Sequence, residues 1–211
     1  MRLVHTEMPG PGARRIIALM ATDTAAADDR AYPRELERAL VLRDGSRVTL
    51  RPIRPDDAPR LIALYDRLSR HTAYQRFFTI MKRLPPDWAA MLANVDYRRR
   101  LALVAEPADG DHELIAVGRY EPTDDPATVE VAFVVQDGWQ ERGLGTILFR
   151  AILAAAVARG VRRFRAWVLA ENRRMLDLIV RYGRVEQRRT EQGVTELVFT
   201  PAPSADPPAA R

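Results

Sequence analysis

One carboxylate stands alone in an apolar run. Within TVEVAFVV, Thr128 to Val135, two-residue alternation puts Thr128, Glu130, Ala132 and Val134 on one face and Val129, Val131, Phe133 and Val135 on the other. Glu130 is the only ionisable group in that run, and Ala132 beside it leaves room for a substrate. Charged side chains avoid buried strands unless they are paired or functional. A carboxylate partly withdrawn from water has its pKa raised toward neutrality, where it can take a proton from a nucleophile. The plainer alternative is a strand glutamate paired with an arginine such as Arg119.

The stretch QERGLGTIL, Gln140 to Leu148, follows. Two glycines here stand between a strand-like run and the helix-like FRAILAAAVARG. A helix beginning at Gly143 leaves its first amide hydrogens without intrahelical partners, and its dipole adds partial positive charge. Such an end binds anions, and glycine lets backbone approach a phosphate because no Cβ intervenes. Arg142 is expected to add a charged donor at the rim. The spacing excludes a dinucleotide fold, since Ile147 and Leu148 occupy the region of its third glycine, and no Lys-Ser/Thr pair follows as in a Walker loop. A tight turn with no ligand remains the alternative.

These residues need a scaffold, and the rest of the chain supplies an alternating one. SRVTLRPI reads as a strand, and RPDDAPRLIALYDRLS as a helix with Leu61, Leu64, Tyr65 and Leu68 on one face. TAYQRFFTIM and PPDWAAMLANV read as further helical pieces, the second opened by prolines. RRLALVAEP, HELIAVGRYEP and ATVEVAFVVQD read as three successive strands. A helix from about Gly143 to Arg159, the strand RRFRAWVLA, the helix NRRMLDLIVRYG and a hairpin turning at Gln192-Gly193 complete the order. This is an α/β protein with a mixed sheet: short connections make the middle strands antiparallel, and the strand-helix-strand unit around the glycines demands a parallel crossover. Residues 1–40 are expected to be an N-terminal extension, 41–200 the domain, and 201–211 a disordered Pro/Ala tail.

Composition narrows the chemistry. With no cysteine among 211 residues, disulfides, zinc-thiolate sites and cysteine nucleophiles are excluded. His5, His71 and His112 lack ligand spacing, so no metal is expected. The net charge of +5 is carried by arginine, Lys82 being the only lysine. Guanidinium pairs well with phosphate, which suits nucleic acid or a phosphorylated cofactor, although an arginine-rich composition alone accounts for it. No basic helix carries interleaved aromatics, which argues against nucleic acid. No run approaches the ~18 apolar residues that span a bilayer. Glu7 and two prolines precede the short apolar stretch near the N-terminus, a poor secretory signal. The expected location is the cytoplasm, away from membranes.

QERGLG, between a strand and a helix, resembles the Q/R-x-x-G-x-G/A signature of the GNAT superfamily of acyl-CoA-dependent N-acetyltransferases. The element order from Val48 to Phe199 is similar too, about three quarters of the chain. The resemblance implies a mainly antiparallel sheet flanked by helices, with acetyl-CoA as cosubstrate and its pyrophosphate held by Gln140, Glu141, Arg142, Gly143, Leu144, Gly145 and Thr146. It implies that backbone groups of Phe133, Val134 and Val135 pair with the pantetheine arm, and that Asn172 contacts the coenzyme A arm; simple N-capping is equally compatible. Many relatives place a general-acid tyrosine seven residues after that asparagine, where this chain has Ile179, with Tyr182 three residues further on. LRPIRPDDAPRLIALYDRLSRHTAYQRFF, EVAFVVQDGWQERGLG and ENRRML resemble the bacterial protein lysine acetyltransferases that act on acyl-CoA synthetases. That likeness implies Glu130 as general base for a protein lysine, an acyl-CoA synthetase being the candidate acceptor. Acetylation of a small amine and non-catalytic acyl-CoA sensing remain alternatives. The adenosine 3′-phosphate would have Arg159, Arg162, Arg163, Arg173 and Arg174 as candidates, a solvated helix face being the alternative for most of them.

Overall fold

The parallel crossover demanded by the glycine stretch sits inside an eight-stranded sheet. The computed structural model describes residues 31–110 and 112–202. The remainder of the N-terminal extension and of the C-terminal tail lies outside the described residues. The strands are β1 (Arg38–Val41), β2 (Arg47–Pro52), β3 (Leu101–Pro107), β4 (Ala116–Pro122), β5 (Thr128–Val135), β6 (Arg163–Leu169), β7 (Gly183–Glu191) and β8 (Val194–Pro201). Their order is β1-β2-β3-β4-β5-β6-β8-β7. Every neighbouring pair is antiparallel except β5 with β6. The longer helices are α1 (Ala58–Asp66), α2 (Arg70–Phe77), α3 (Pro86–Ala93), α4 (Leu144–Ala158) and α5 (Arg173–Tyr182).

The apolar spacings translate directly into packing. Leu61, Leu64 and Tyr65 form the buried stripe of α1. Helix α4 buries Leu144, Leu148, Phe149, Ile152 and Leu153 against the sheet. Its Phe149 lies 5.2 Å from Phe133 of β5 and 6.2 Å from Phe199 of β8, ring centre to ring centre. The face of β5 carrying Phe133 therefore looks toward α4. Glu130 and Ala132 look the other way, toward the side on which α2 packs.

Two expected boundaries move. β1 begins at Arg38 and pairs with β2 from Arg38↔Leu50 to Val41↔Arg47, so the sheet starts before residue 41. This strand is too short and too exposed to show alternation. Helix α2 stops at Phe77, earlier than its sequence suggests, because Phe78 turns left-handed at φ 53°. At its other end Ser69 caps the helix, its hydroxyl accepting from the Thr72 amide at 3.1 Å.

Candidate active site

The site begins where two strands part. β5 and β6 pair only through Thr128↔Arg163, Val129↔Phe164 and Glu130↔Arg165. Beyond Glu130, β5 continues to Val135 bonded to β4 alone, and β6 continues to Leu169 bonded to β8 alone. The facing edges open a cleft of about 340 Å³ between them, bounded by α2, α4 and α5.

Glu130 stands at the apex of this fork. The parallel register places Trp167 two residues past Arg165 on the same face. Its indole Nε1–H donates to Glu130 Oε2 at 3.1 Å. Arg119 does not take the role of ion partner to Glu130: its Nε donates to Glu121 at 2.8 Å, and Arg100 reaches the same carboxylate at 2.6 Å. Both arginines are thus committed to Glu121, which stands directly opposite Glu130 on β4.

The glycine loop closes the opposite end. Gly143 adopts φ 91° and caps α4, and Glu141 is also left-handed at φ 65°. The amide hydrogens of Gly143, Leu144, Gly145 and Thr146 meet no acceptor among the described residues; the first helical bond runs from the Ile147 amide to the Gly143 carbonyl. A Cβ on Gly145 would find only Val135 Cγ2, at 3.7 Å. The loop is held from outside. Gln140 Nε2 donates to the Val135 carbonyl at 3.0 Å, while Asp137 accepts from the Ser69 amide at 2.9 Å and the Thr72 hydroxyl at 2.8 Å. Burial opposes the charge on Asp137, but these hydrogen bonds outweigh it and hold the carboxyl below its usual pKa. The result is a clamp tying the N-terminus of α2 to the loop before α4.

Most of the sequence-derived candidates converge here. Glu130, Phe133, Val134, Val135, Gln140, Glu141, Gly143, Gly145, Thr146 and Asn172 all line the cleft. Asn172 also caps α5, accepting from the Met175 amide at 3.2 Å. Leu144 has its side chain fully buried, so only its amide faces the loop.

Arg142 goes elsewhere. Its guanidinium pairs with Asp44 at 2.8 Å, bonds the Ser46 hydroxyl at 3.1 Å and stacks on Trp139. The hairpin between β1 and β2 supplies Asp44 and Ser46, and it supplies Arg43 in exchange. Arg43 lines the cleft beside Gly143, its Nε 3.3 Å from where a Cβ would stand.

Of the five arginines considered for the 3′-phosphate, only Arg174 reaches the cleft, where it pairs with Glu141. Arg159 is spent on the Tyr97 and Ala155 carbonyls, and Arg163 on Glu186. Ile179 is fully buried, and Tyr182 packs near Phe149 at 6.4 Å rather than in the cleft. Arg43, Arg76 and Trp167 also line the cleft and are not among the residues expected from the sequence. Only Trp167 carried a signal, its place two residues along a strand that had to run parallel to β5.

Chemically, the cleft offers four unspent amides at a helix N-terminus, two glycines and two flanking arginines at one end. Along one side it offers the unpaired edge of a strand. This donor set fits a diphosphate followed by an amide-bearing arm. Among the described residues no cluster of His, Asp or Glu suits a metal ion.

Residues 47–185 match the family described as acetyltransferase (GNAT) domain. The chain belongs to the GNAT acetyltransferases. It is 36% identical over 148 residues to the acetyltransferase Pat of Mycolicibacterium smegmatis, a match spanning 68% of this chain and 43% of Pat. It is 32% identical over 148 residues to an acetyltransferase of Pseudomonas aeruginosa, covering 70% of this chain and 80% of that protein. The solved GNAT domain of S. lividans PAT superposes with a TM-score of 0.72 at 36% identity, over 81% of this chain and 99% of that domain. The GNAT fold and an acyl-CoA-dependent N-acetyltransferase activity follow from this membership.

Proposed function

We propose that this GNAT enzyme transfers the acetyl group of acetyl-CoA to a lysine ε-amine of a protein, with Glu130 as general base. An acyl-CoA synthetase is the candidate acceptor. The observation that carries the reading is the position of Glu130 at the apex of the β5–β6 fork, oriented by the Trp167 indole. The similarity to Pat and to the S. lividans PAT domain supports a protein acceptor.

The residues divide the work by position. Amides of Gly143 to Thr146, with Arg43 and Arg174 beside them, would hold the pyrophosphate, and the free edge at Phe133 to Val135 would hold the pantetheine arm. Acetyl-CoA supplies an activated thioester carbonyl. A lysine amine has a pKa near ~10.4 and is mostly protonated at neutral pH, so a proton must leave before it attacks. Glu130 accepts that proton directly or through water. The C–N bond forms and the C–S bond breaks; the second proton that the nitrogen sheds on becoming an amide passes through water to the departing thiolate, since no tyrosine among the described residues lines the cleft.

Glu130→Gln keeps the shape and removes the basic group. Acetyl-CoA affinity should hold while turnover on a lysine peptide falls ~100-fold or more, the usual scale for losing a general base. That equals ~3 kcal/mol of barrier. Raising the pH should partly restore the variant, since free amine then forms without help. Near wild-type turnover at neutral pH would remove Glu130 from this role.

A further inference from the structure

Arg76 is the charged cleft residue that the chemistry above leaves unused. It lies one turn of α2 beyond Thr72, and Thr72 is fixed to Asp137 and Gln140 at the loop end. That turn advances about 6 Å along the helix, and Arg76 lines the same cleft as Glu130. The side chain is half-buried and stacks on the Phe77 ring at 4.9 Å. No carboxylate oxygen among the described residues lies within 4.0 Å of its guanidinium.

The charges around it do not balance. Glu121 is bonded by both Arg100 and Arg119, and Glu130 faces the same space. Arg165 and Glu196 form their own pair at 3.2 Å. Arg76, Arg100 and Arg119 therefore face two carboxylates, leaving one cation in excess among the described residues. Burial, and then the like charge of Arg119, push the Arg76 pKa down to about 10, against the pull of Glu130 and Glu121. An uncompensated half-buried guanidinium is costly, and a planar donor fork is shaped for a carboxylate.

We infer that Arg76 binds a carboxylate carried by the acceptor close to its reacting amine. This rests on the acetyl-transfer reading of the cleft and sharpens its substrate class. The carboxylate is either an acidic side chain beside the target lysine or the α-carboxylate of a small amine. Bound there, it neutralises the excess cation and aims the amine at Glu130. Arg76 is thus a specificity and positioning residue, distinct in place from the phosphate-binding end.

The test uses the full chain, acetyl-CoA and two acceptor pairs that share one amine pKa within each pair. One pair is a lysine peptide with Asp or Asn beside the lysine; the other is Nα-blocked lysine and its amide. The wild type should favour the carboxylate member of at least one pair by ~10-fold or more in kcat/KM, the scale of a hydrogen bond to a charged group. Arg76→Met should bring that ratio to about 1, and Arg76→Lys should keep part of it; a merely structural role would lower both members alike. A preference in the peptide pair identifies an acidic side chain as the source. A preference with turnover confined to blocked lysine identifies an α-carboxylate, and then the protein-lysine reading falls while the role of Arg76 stands. Equal kcat/KM within both wild-type pairs, or a preference surviving in Arg76→Met, overturns the inference and leaves lysine acetylation standing. No turnover of any member overturns both.

Discussion

Replacing Gly143 and Gly145 separately, each by alanine, should have opposite effects on stability. Gly145 sits in the first turn of α4 with ordinary helical backbone, and a new Cβ meets only Val135 Cγ2 at the normal contact distance of 3.7 Å. Alanine there gains helix propensity worth up to ~1 kcal/mol. Gly143 adopts φ 91°, where a Cβ carries a penalty of roughly 1–2 kcal/mol. The added atom also comes within 3.3 Å of Arg43 Nε, the movable end of a flexible side chain, so strain rather than collision dominates. For a chain of this size ~1 kcal/mol moves Tm by ~2–4 °C. Gly143→Ala should lower Tm by ~2–8 °C, and Gly145→Ala should leave it level or raised. Binding separates them again. If Gly143 relaxes to negative φ, the amides of Leu144 to Thr146 no longer converge, so acetyl-CoA affinity by calorimetry should fall ~10-fold or more, the loss of one or two charge-assisted hydrogen bonds. Gly145→Ala should stay within a few-fold of wild type, whereas Gly145→Val fills the cleft wall and should lose binding without losing the fold. A Gly143→Ala protein with unchanged Tm and unchanged affinity would refute both the strain argument and the assignment of these amides to the phosphate.

The two arginines beside the loop give a second contrast: Arg43→Ala should weaken acetyl-CoA binding ~10-fold, the value of one charge-assisted bond, while Arg142→Ala changes it less than ~3-fold. Calorimetry showing the reverse order would return Arg142 to the cleft. The third prediction concerns acid. Asp57 and Glu106 are disfavoured as anions by burial, but hydrogen bonds and charges from Arg51 and Arg60 prevail and lower both pKa values. Lowered folded-state values mean that protonation favours the unfolded chain, so this stability is complete above the ordinary carboxylate range near ~4 and is lost as pH falls through the folded values. Urea midpoints should hold from pH 8 to about 5 and drop below about 4, with Asp57→Asn, which breaks its 2.8 Å contact with Arg51, flattening the drop.

What the sequence revealed and what it hid divide along one physical line. Glu130 was legible because alternation within a single strand isolates it, and Gly143 with Gly145 because a strand-to-helix junction is a local event. Ten of the candidate residues share one cleft. The hidden residues are those whose place depends on partners far along the chain. Arg142 reads as a rim donor beside two glycines, but its destination is set by Asp44 and Ser46 on a hairpin about a hundred positions earlier. Arg43 enters by the same hairpin, through a strand too short to announce itself. Arg76 lies in YQRFF, where spacing does not reveal that Asp137 clamps the start of α2 and that the next turn lines the cleft with Glu130. Tyr182 illustrates the converse error: three residues along a helix sounds close to Ile179, yet its ring packs beside Phe149.

The parting of β5 from β6 has a consequence for how the whole molecule holds together. A sheet bonded along every strand behaves as a plate, but this plate carries a slit, with β1 to β5 on one side and β6 to β8 on the other. Only three rungs cross between them, all at the closed end of the slit. An acyl donor bound along the free edges, as proposed, would act as a splint. At a hundred times its Kd it would add ~2.7 kcal/mol to the folded state, delivered across the strand pairing with the fewest rungs. Under that reading, supply of acyl donor and persistence of the fold would be one coupled quantity.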